Sequence, residues 1–344
     1  MEQAIIATRK LPELIGALRK KYVVYGPVKD AAGEVALLEV VADAEMTLDF
    51  ANFKLSPKGL FFPQCEVLCA LEQNEVKDVW RPVGKFAAFA VRPCDADALK
   101  NLDKVFGGES GFTDPYYTIK RENGIIIALA CDNPCPTCFC TSVGSGPYSE
   151  KGADILMSRL DDALLFEACT DKGRDLLQAY ADSFQEAGAA EQQAHTARAA
   201  EAAAKVNPVN TAGVSDRLAK GFHSQVWNEM FARCLGCGVC TYLCPTCHCF
   251  DIMDEVDETG AGQRIRAWDA CQFALFTLHA SGHNPRPSKK ERMRQRIMHK
   301  YSYTVANFNE IFCVGCGRCV RDCPVNLDIR EMIATIRTWD EPRN

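Results

Sequence analysis

Residues 234–250, CLGCGVCTYLCPTCHCF, hold six cysteines in seventeen positions, and residues 313–329, CVGCGRCVRDCPVNLDI, repeat the first half of that spacing. Each copy sets three cysteines two residues apart, then a fourth after three more, closed by proline. The first is Cys234, Cys237, Cys240 and Cys244–Pro245, and the second is Cys313, Cys316, Cys319 and Cys323–Pro324. A [4Fe–4S] cube offers four iron corners, each taking one thiolate, and three closely spaced thiolates wrap one cube from a single loop. The fourth sits at the head of a proline-started helix, points away and reaches the other cube. The two runs are therefore expected to meet in space, each completing the other's cluster. One ligand set is Cys234, Cys237, Cys240 and Cys323; the other is Cys313, Cys316, Cys319 and Cys244. Glycines 236, 238, 315 and 317 relieve crowding and let backbone N–H groups approach cluster sulfur. Zinc also takes CxxC pairs, but two complete four-cysteine runs with terminal proline suit the cubane better.

The remaining composition fits metal chemistry in a reducing compartment. The chain has 19 cysteines in 344 residues, no secretory or twin-arginine leader is visible, and no uncharged run approaches the length that spans a bilayer. These thiols are then expected in the cytoplasm, as metal ligands rather than disulfides. A net charge of -6 argues against general nucleic-acid binding. No GxGxxG, P-loop, HExxH or GxSxG pattern announces a nucleotide site or a hydrolytic nucleophile.

Upstream, KFAAFAV (85–91) and GIIIALA (124–130) are continuous apolar runs of strand length, stopped by Arg92–Pro93 and by Cys131. Runs apolar on both faces suit central, parallel strands with helical crossovers. LPELIGALRK (11–20) reads as a helix, YVVYG and EVALLEVV as strands, and Ser56–Pro57 as the start of a helix carrying Cys65 and Cys69. ADILMSRLDDALLFEA gives two more strands before a helix near 172–186. The Ala- and Glu-rich stretch 187–206 reads as a semi-rigid helical spacer, and FHSQVWNEMFA as a helix entering the first cysteine run. The expected fold is α+β: an amino-terminal α/β domain (1–212) with a mainly parallel or mixed sheet, then a helical dicluster ferredoxin-like domain (213–344).

Cys94 follows the first apolar run and Cys131 the second. If those strands are parallel neighbours, both thiols emerge at one carboxyl edge, where open α/β sheets bind ligands. With Cys138 and Cys140 in the same loop, Cys94, Cys131, Cys138 and Cys140 could hold a third cubane. Cys135 could replace one of them, and a zinc site or buried apolar thiols are the alternatives. Cys65, Cys69 and Cys169 read as packing or surface thiols.

Sixty-eight residues separate Cys244 from Cys313. Within them Cys247, Cys249 and Cys271 either pack beside the clusters or form another site, with His279 or His283 as candidate partners. Trp268 and Asp269 would fix this segment against the cluster loop. Residues 286–300 hold seven Lys and Arg against one acid. Such a stretch is a solvated helix, a docking face for an acidic partner, or a counter-charge for anionic clusters.

At RPCDADALKNLDKVF, DPYYTIKRE, CPTCFCTSVGSGP, CLGCGVCTYLCPTCHCFD, RIRAWDACQF, SGHNPRP and CVGCGRCVRDCPVNLDI the chain resembles one family of 4Fe-4S dicluster proteins. That family contains the sulfhydrogenase (hydrogenase/sulfur reductase) beta subunits and their iron–sulfur counterparts in anaerobic sulfite reductase. The resemblance implies an iron–sulfur electron-transfer subunit of an anaerobic oxidoreductase complex. Its partners would be a flavin subunit oxidising NAD(P)H and a hydrogenase or sulfite/sulfur reductase subunit. Cys94, Cys131, Cys138 and Cys140 fall on the family's amino-terminal cysteines, and Cys135 departs from the simplest pattern. Two other readings stand beside it: a self-contained iron–sulfur reductase binding substrate at an open cluster site, and a structural zinc-binding scaffold.

Overall fold

The computed structural model describes residues 2–41, 46–72, 75–79 and 82–339. In chain order the strands are β1 (Gln3–Ala7), β2 (Val23–Lys29), β3 (Val35–Glu39), β4 (Cys65–Glu72), β5 (Glu75–Asp78) and β6 (Phe86–Val91). They continue with β7 (Gly124–Leu129), β8 (Ile155–Arg159), β9 (Ala163–Ala168), β10 (Gln185–Glu186), β11 (Phe250–Val256) and β12 (Gly262–Trp268). The chain divides into two compact bodies. The first comprises Met1–Pro57, Val83–Pro208 and Val314–Gly317; the second comprises Lys58–Pro82, Val209–Cys313 and Arg318–Asn344.

The first body is built on a mixed eight-stranded sheet in the order β10-β1-β9-β8-β7-β6-β2-β3. Its four inner strands β8, β7, β6 and β2 pair in parallel, while β9, β1, β10 and β3 flank them antiparallel. The apolar runs dictate this arrangement: β6 (FAAFAV) and β7 (GIIIAL) are buried at every position, as strands covered on both faces must be. At the rim, β1 alternates buried and half-buried residues. The Leu11–Leu18 helix lays Leu11, Leu14, Ile15 and Leu18 on the core formed by Phe89, Ile127, Leu129 and Met157. Each such side chain contributes about 1.5–3 kcal/mol of burial. Next to the sheet, Asp103 accepts hydrogen bonds from Tyr117 Oη and Arg121 Nε, both at 2.7 Å. This braces the Pro93–Phe106 helix against the Pro115–Asn123 helix. The Ala189–Ala204 stretch is helical and buries only Ala202, as its composition predicts.

The second body contains the antiparallel sheet β11-β12-β4-β5 and the cysteine-rich helical segments. Here the expectation for Ser56–Pro57 is corrected. The start signal produces a single turn, Pro57–Leu60, and Cys65 and Cys69 then lie on β4, paired with β12 through Cys65↔Ala267 and Cys69↔Arg264. The pairing partner lies some two hundred residues downstream, so local helix propensity loses to a non-local ladder. The FHSQVWNEMFA helix is also short, spanning only Val226–Met230, and anchors Trp227 against Phe231 and Trp339. The Ile329–Thr338 helix is capped by Asp328 and buries Ile329, Met332, Ile333 and Ile336. The Lys289–Met298 helix runs into a wide turn, His299–Tyr303, in which Thr304 N–H bonds the His299 carbonyl five residues back. Single wide turns of this kind recur at functional sites.

Candidate metal centres

In the second body a largely apolar recess of about 480 Å³ is bordered by Cys234, Cys237, Cys240 and Cys323. The loop that carries the first three is bent by Gly236 and Gly238 at φ +71° and +77°. A Cβ on Gly238 would stand 2.6 Å from the Phe273 ring, so only glycine fits there. Backbone N–H groups point at sulfur from both sides: Gly236 N to Cys234 Sγ and Leu327 N to Cys323 Sγ, each at 3.3 Å. Cys319 also borders this recess. Cys237 is exposed, whereas Cys234 is buried.

Cys313 and Cys244 both lie close enough to Cys319 in this body to help raise its pKa, after burial. Cys316, the remaining member of that run, belongs to the Val314–Gly317 segment of the first body. The basic stretch 286–300, read as a solvated helix or a counter-charge for clusters among other options, turns three of its seven Lys and Arg residues inward. Arg292, Arg296 and Lys300 are all buried. Lys300 Nζ donates to Cys244 Sγ at 3.1 Å, Thr246 Oγ1 at 2.7 Å and the Phe312 carbonyl at 3.0 Å. Arg296 Nη2 reaches the Cys240 carbonyl at 3.3 Å. From β4's side, Lys58 Nζ donates to the carbonyls of Cys244 (3.0 Å) and Cys247 (2.8 Å) and stands 4.0 Å above the Trp268 ring. Burial lowers the Lys58 pKa to about 8, with the Cys247 and Cys244 thiolates opposing. Burial also works against the charge of Arg296 and Lys300. For Lys300, Cys244 and Cys247 outweigh it; for Arg296, Cys240, Cys319, Cys247 and Cys244 do, so both stay above their ordinary range.

The electrostatics suit a polynuclear cation-bearing group. Burial lifts Cys240 to about 11 and Cys319 to about 12 even with Arg296 nearby. Bare thiolates are therefore costly here and metal-bound ones are favoured. The Tyr301 hydroxyl faces Cys313. It has no hydrogen-bond partner among the described residues, and neither does Arg296 Nε. Buried donors rarely stay unsatisfied, and the sulfurs of a cluster would accept from both. The four thiols of the first recess thus fit a [4Fe–4S] group, and Cys244, Cys313 and Cys319 supply three of the thiolates a second would take. Among the described residues no three His, Cys, Asp or Glu stand together as a ready-made metal site; the thiols border recesses instead.

In the first body β6 and β7 are parallel neighbours, with Phe86↔Gly124 through Phe89↔Ile127 in register. Both ends therefore open at one carboxyl edge. A bulge interrupts the register after Phe89, where buried Ala90 takes φ +57°, a left-handed conformation costing a non-glycine about 1 kcal/mol or more. Beyond it the Pro93–Phe106 helix starts, with Cys94 in its first turn. A recess of about 370 Å³ at this edge is bordered by Cys94, Cys131, Cys138 and Cys140, and also by Cys135 and Cys316. Cys138 Sγ donates to the Cys316 carbonyl at 3.6 Å. Its pKa is raised first by a hydrogen bond with Cys135 and then by burial. Burial pushes Cys140 up to about 12 and raises Cys131, which Arg92 partly offsets. Gly315 sits at φ +62°, where a Cβ would meet the Cys140 nitrogen and the Phe139 carbonyl carbon at 2.5 Å. Thr137 Oγ1 and Ser145 Oγ are buried without partners among the described residues, again suiting an acceptor in the recess.

Among the other thiols, Cys249 and Cys271 are hydrogen-bonded to each other, as are Cys244 and Cys247. The imidazoles bordering Cys249 and Cys271 are His248 and His299. His279 and His283, the partners suggested by sequence, pair instead with one another at 5.4 Å between rings. Trp268 donates to the Phe62 carbonyl at 3.0 Å and Asp269 N to the Cys249 carbonyl at 3.0 Å. These bonds fasten the segment at the base of β12. Sequence reasoning missed Lys58, whose only signal is its position after Pro57, and Tyr301, whose placement depends on the wide turn.

Comparison with known proteins points to iron–sulfur chemistry. A family model described as a 4Fe-4S dicluster domain matches residues 233–327. Over 330 residues the chain is 34% identical to "Sulfhydrogenase 2 subunit beta" of Pyrococcus furiosus, covering 95% of this chain and 96% of that protein. With a 4Fe-4S dicluster domain spanning both cysteine runs and similarity along almost its whole length, the chain belongs to the family of the sulfhydrogenase beta subunits.

Proposed function

We propose that the chain is the iron–sulfur electron-transfer subunit of a cytoplasmic, multi-subunit oxidoreductase. It relays single electrons between a flavin subunit that oxidises NAD(P)H and a hydrogenase or sulfite/sulfur reductase subunit. The observation that carries this reading is the gathering of Cys234, Cys237 and Cys240 with Cys323 around one apolar recess. The ligand sets are Cys234, Cys237, Cys240 and Cys323 for one cluster and Cys313, Cys316, Cys319 and Cys244 for the other. A third set, Cys94, Cys131, Cys138 and Cys140, serves the first body, with Cys135 as the thiol able to substitute.

Bound at these sites, [4Fe–4S] groups supply one-electron storage with little rearrangement. The chain's own residues do the rest. Apolar side chains such as Leu327, Ile329 and Met332 keep water from the first recess. Backbone N–H groups of Gly236 and Leu327 steady the sulfurs, and Arg296 and Lys300 neutralise thiolate charge. Exposed Cys237 beside the exposed Leu235 gives one cluster an outlet toward solvent, where a partner protein can approach. The name of the Pyrococcus furiosus relative supports a place in a hydrogenase complex.

The test is the anaerobically purified full chain, supplied alone with reduced viologen and with sulfite, polysulfide or protons. The wire reading predicts reversible bleaching of the chain without turnover. Sustained hydrogen or sulfide production by the chain alone would overturn it in favour of a self-contained reductase.

A further inference from the structure

The two cysteine groups of the second body differ in their electrostatic surroundings. Around Cys234, Cys237, Cys240 and Cys323 the wall is mostly apolar, and the sulfur-directed donors are the neutral N–H groups of Gly236 and Leu327. At Cys244 the donor is a buried ammonium, Lys300 Nζ, 3.1 Å from the sulfur. The next residue, Tyr301, turns its buried hydroxyl toward Cys313. Both side chains come from the wide turn His299–Tyr303. Lys58 adds a further buried cation at the Cys244 and Cys247 carbonyls. Arg296 borders both groups, so its charge largely cancels from the comparison.

We propose that Lys300, assisted by the Tyr301 hydroxyl, makes the cluster at Cys244, Cys313 and Cys319 the higher-potential member of the pair. A single electron given to the pair then rests there. The inference depends on the reading above that both runs hold [4Fe–4S] clusters. Reduction adds one negative charge, and a fixed cation or hydrogen-bond donor at a ligand sulfur stabilises the reduced state more than the oxidised one. Solvent near exposed Cys237 acts in the opposite sense, favouring reduction of the other cluster. The buried charge wins: at an effective dielectric of about 20 it acts about four times more strongly than through water. The chain thereby has a built-in resting place for the electron beside the buried lysine, and an outlet at lower potential by Cys237.

The experiment is an EPR-monitored redox titration of the full-length, anaerobically purified protein with dithionite and mediators. Wild type, Lys300→Met, Lys300→Arg and Tyr301→Phe are compared after each is analysed for iron. Cys234→Ser identifies the signal of the other cluster, and Cys94→Ala removes any first-body signal. In wild type the Cys244 cluster reduces first. Lys300→Met lowers its potential alone, so that its preference for the electron falls by roughly tenfold or more. Lys300→Arg keeps the order, and Tyr301→Phe shifts the same cluster less. Reduction of the Cys234 cluster first, equal shifts of both clusters, or equal effects of Met and Arg overturn the proposal. If Lys300→Met fails to assemble its cluster, Tyr301→Phe decides: a selective downward shift supports the proposal and no shift overturns it. Wild-type protein lacking eight cluster irons would instead contradict the underlying reading.

Discussion

Arg92 donates through Nη1 to the Ala130 carbonyl at 3.0 Å, joining the residue two before Cys94 to the residue just before Cys131. The same guanidinium reaches the Ala51 carbonyl at 2.9 Å, bonds the Phe50 carbonyl and stacks 4.2 Å from the Phe50 ring. A fork of five donors suits this carbonyl-rich position in a way lysine cannot. Two parallel strands bring Cys94 and Cys131 to one edge, and Arg92 holds that edge closed.

Replacing Arg92 by leucine should therefore strip the first-body site while sparing the ferredoxin runs. The orphaned carbonyls and lost packing are expected to cost about 3–5 kcal/mol. Iron content should fall by about four atoms per chain, the content of one cubane. Arg92→Lys should retain an intermediate share. Unchanged iron in Arg92→Leu would remove Arg92 from the account of that site.

Cross-ligation predicts opposite spectral effects for the two proline-linked cysteines. Cys323→Ser should perturb the cluster of Cys234, Cys237 and Cys240, whose recess it borders. Cys244→Ser should perturb that of Cys313 and Cys319. EPR of each reduced variant checks this, and damage confined to the cluster adjacent in sequence would show the pairing to be wrong.

Gly315→Ala tests the tight approach beside Cys140. A methyl group there must displace backbone at 2.5 Å from a left-handed φ, and we expect a loss of roughly 2 kcal/mol or more. Denaturant unfolding together with iron analysis measures it. Gly260→Ala is the comparison: its φ is also positive, at +79°, but its Cβ meets nothing within 4 Å. It should cost less, through backbone strain alone.

These tests also mark what could be read from the sequence. The parallel pair β6–β7 was legible because both runs are apolar at every position, a pattern few other arrangements can bury. The ferredoxin spacings were legible because ligand geometry is local. Residues 65–71 were opaque, since their pairing with β12 depends on a strand far along the chain, and a local proline start signal pointed the other way. For the basic stretch the sequence left a counter-charge for anionic clusters as one of three readings: by composition it is a polar helix, and the thiolates opposite Arg296 and Lys300 make their burial tolerable. Cys135 and Cys316 appear beside Cys138 because loop closure, which spacing does not specify, brings them there.

His248 and His299 give an acid sensitivity of defined sign. Burial lowers them to about 3 and about 4, from an ordinary value of 6.5. Above that value both are neutral in folded and unfolded chains. As pH falls below it, the unfolded chain takes up protons that the folded one refuses, so stability declines until the folded-state values are reached. Between pH 7 and 5 each contributes a loss of about 2 kcal/mol. Denaturant unfolding of His299→Gln at both pH values should show a smaller decline than wild type. An identical decline would exclude His299 as a source.

The most direct test of the central claim is metal and acid-labile sulfide analysis of the anaerobically purified chain, with EPR after dithionite reduction. Two ferredoxin-type clusters and one in the first body predict about twelve iron atoms per chain with matching sulfide, and fast-relaxing signals on reduction. Zinc at these cysteines, with iron absent and no EPR signal, would contradict the account.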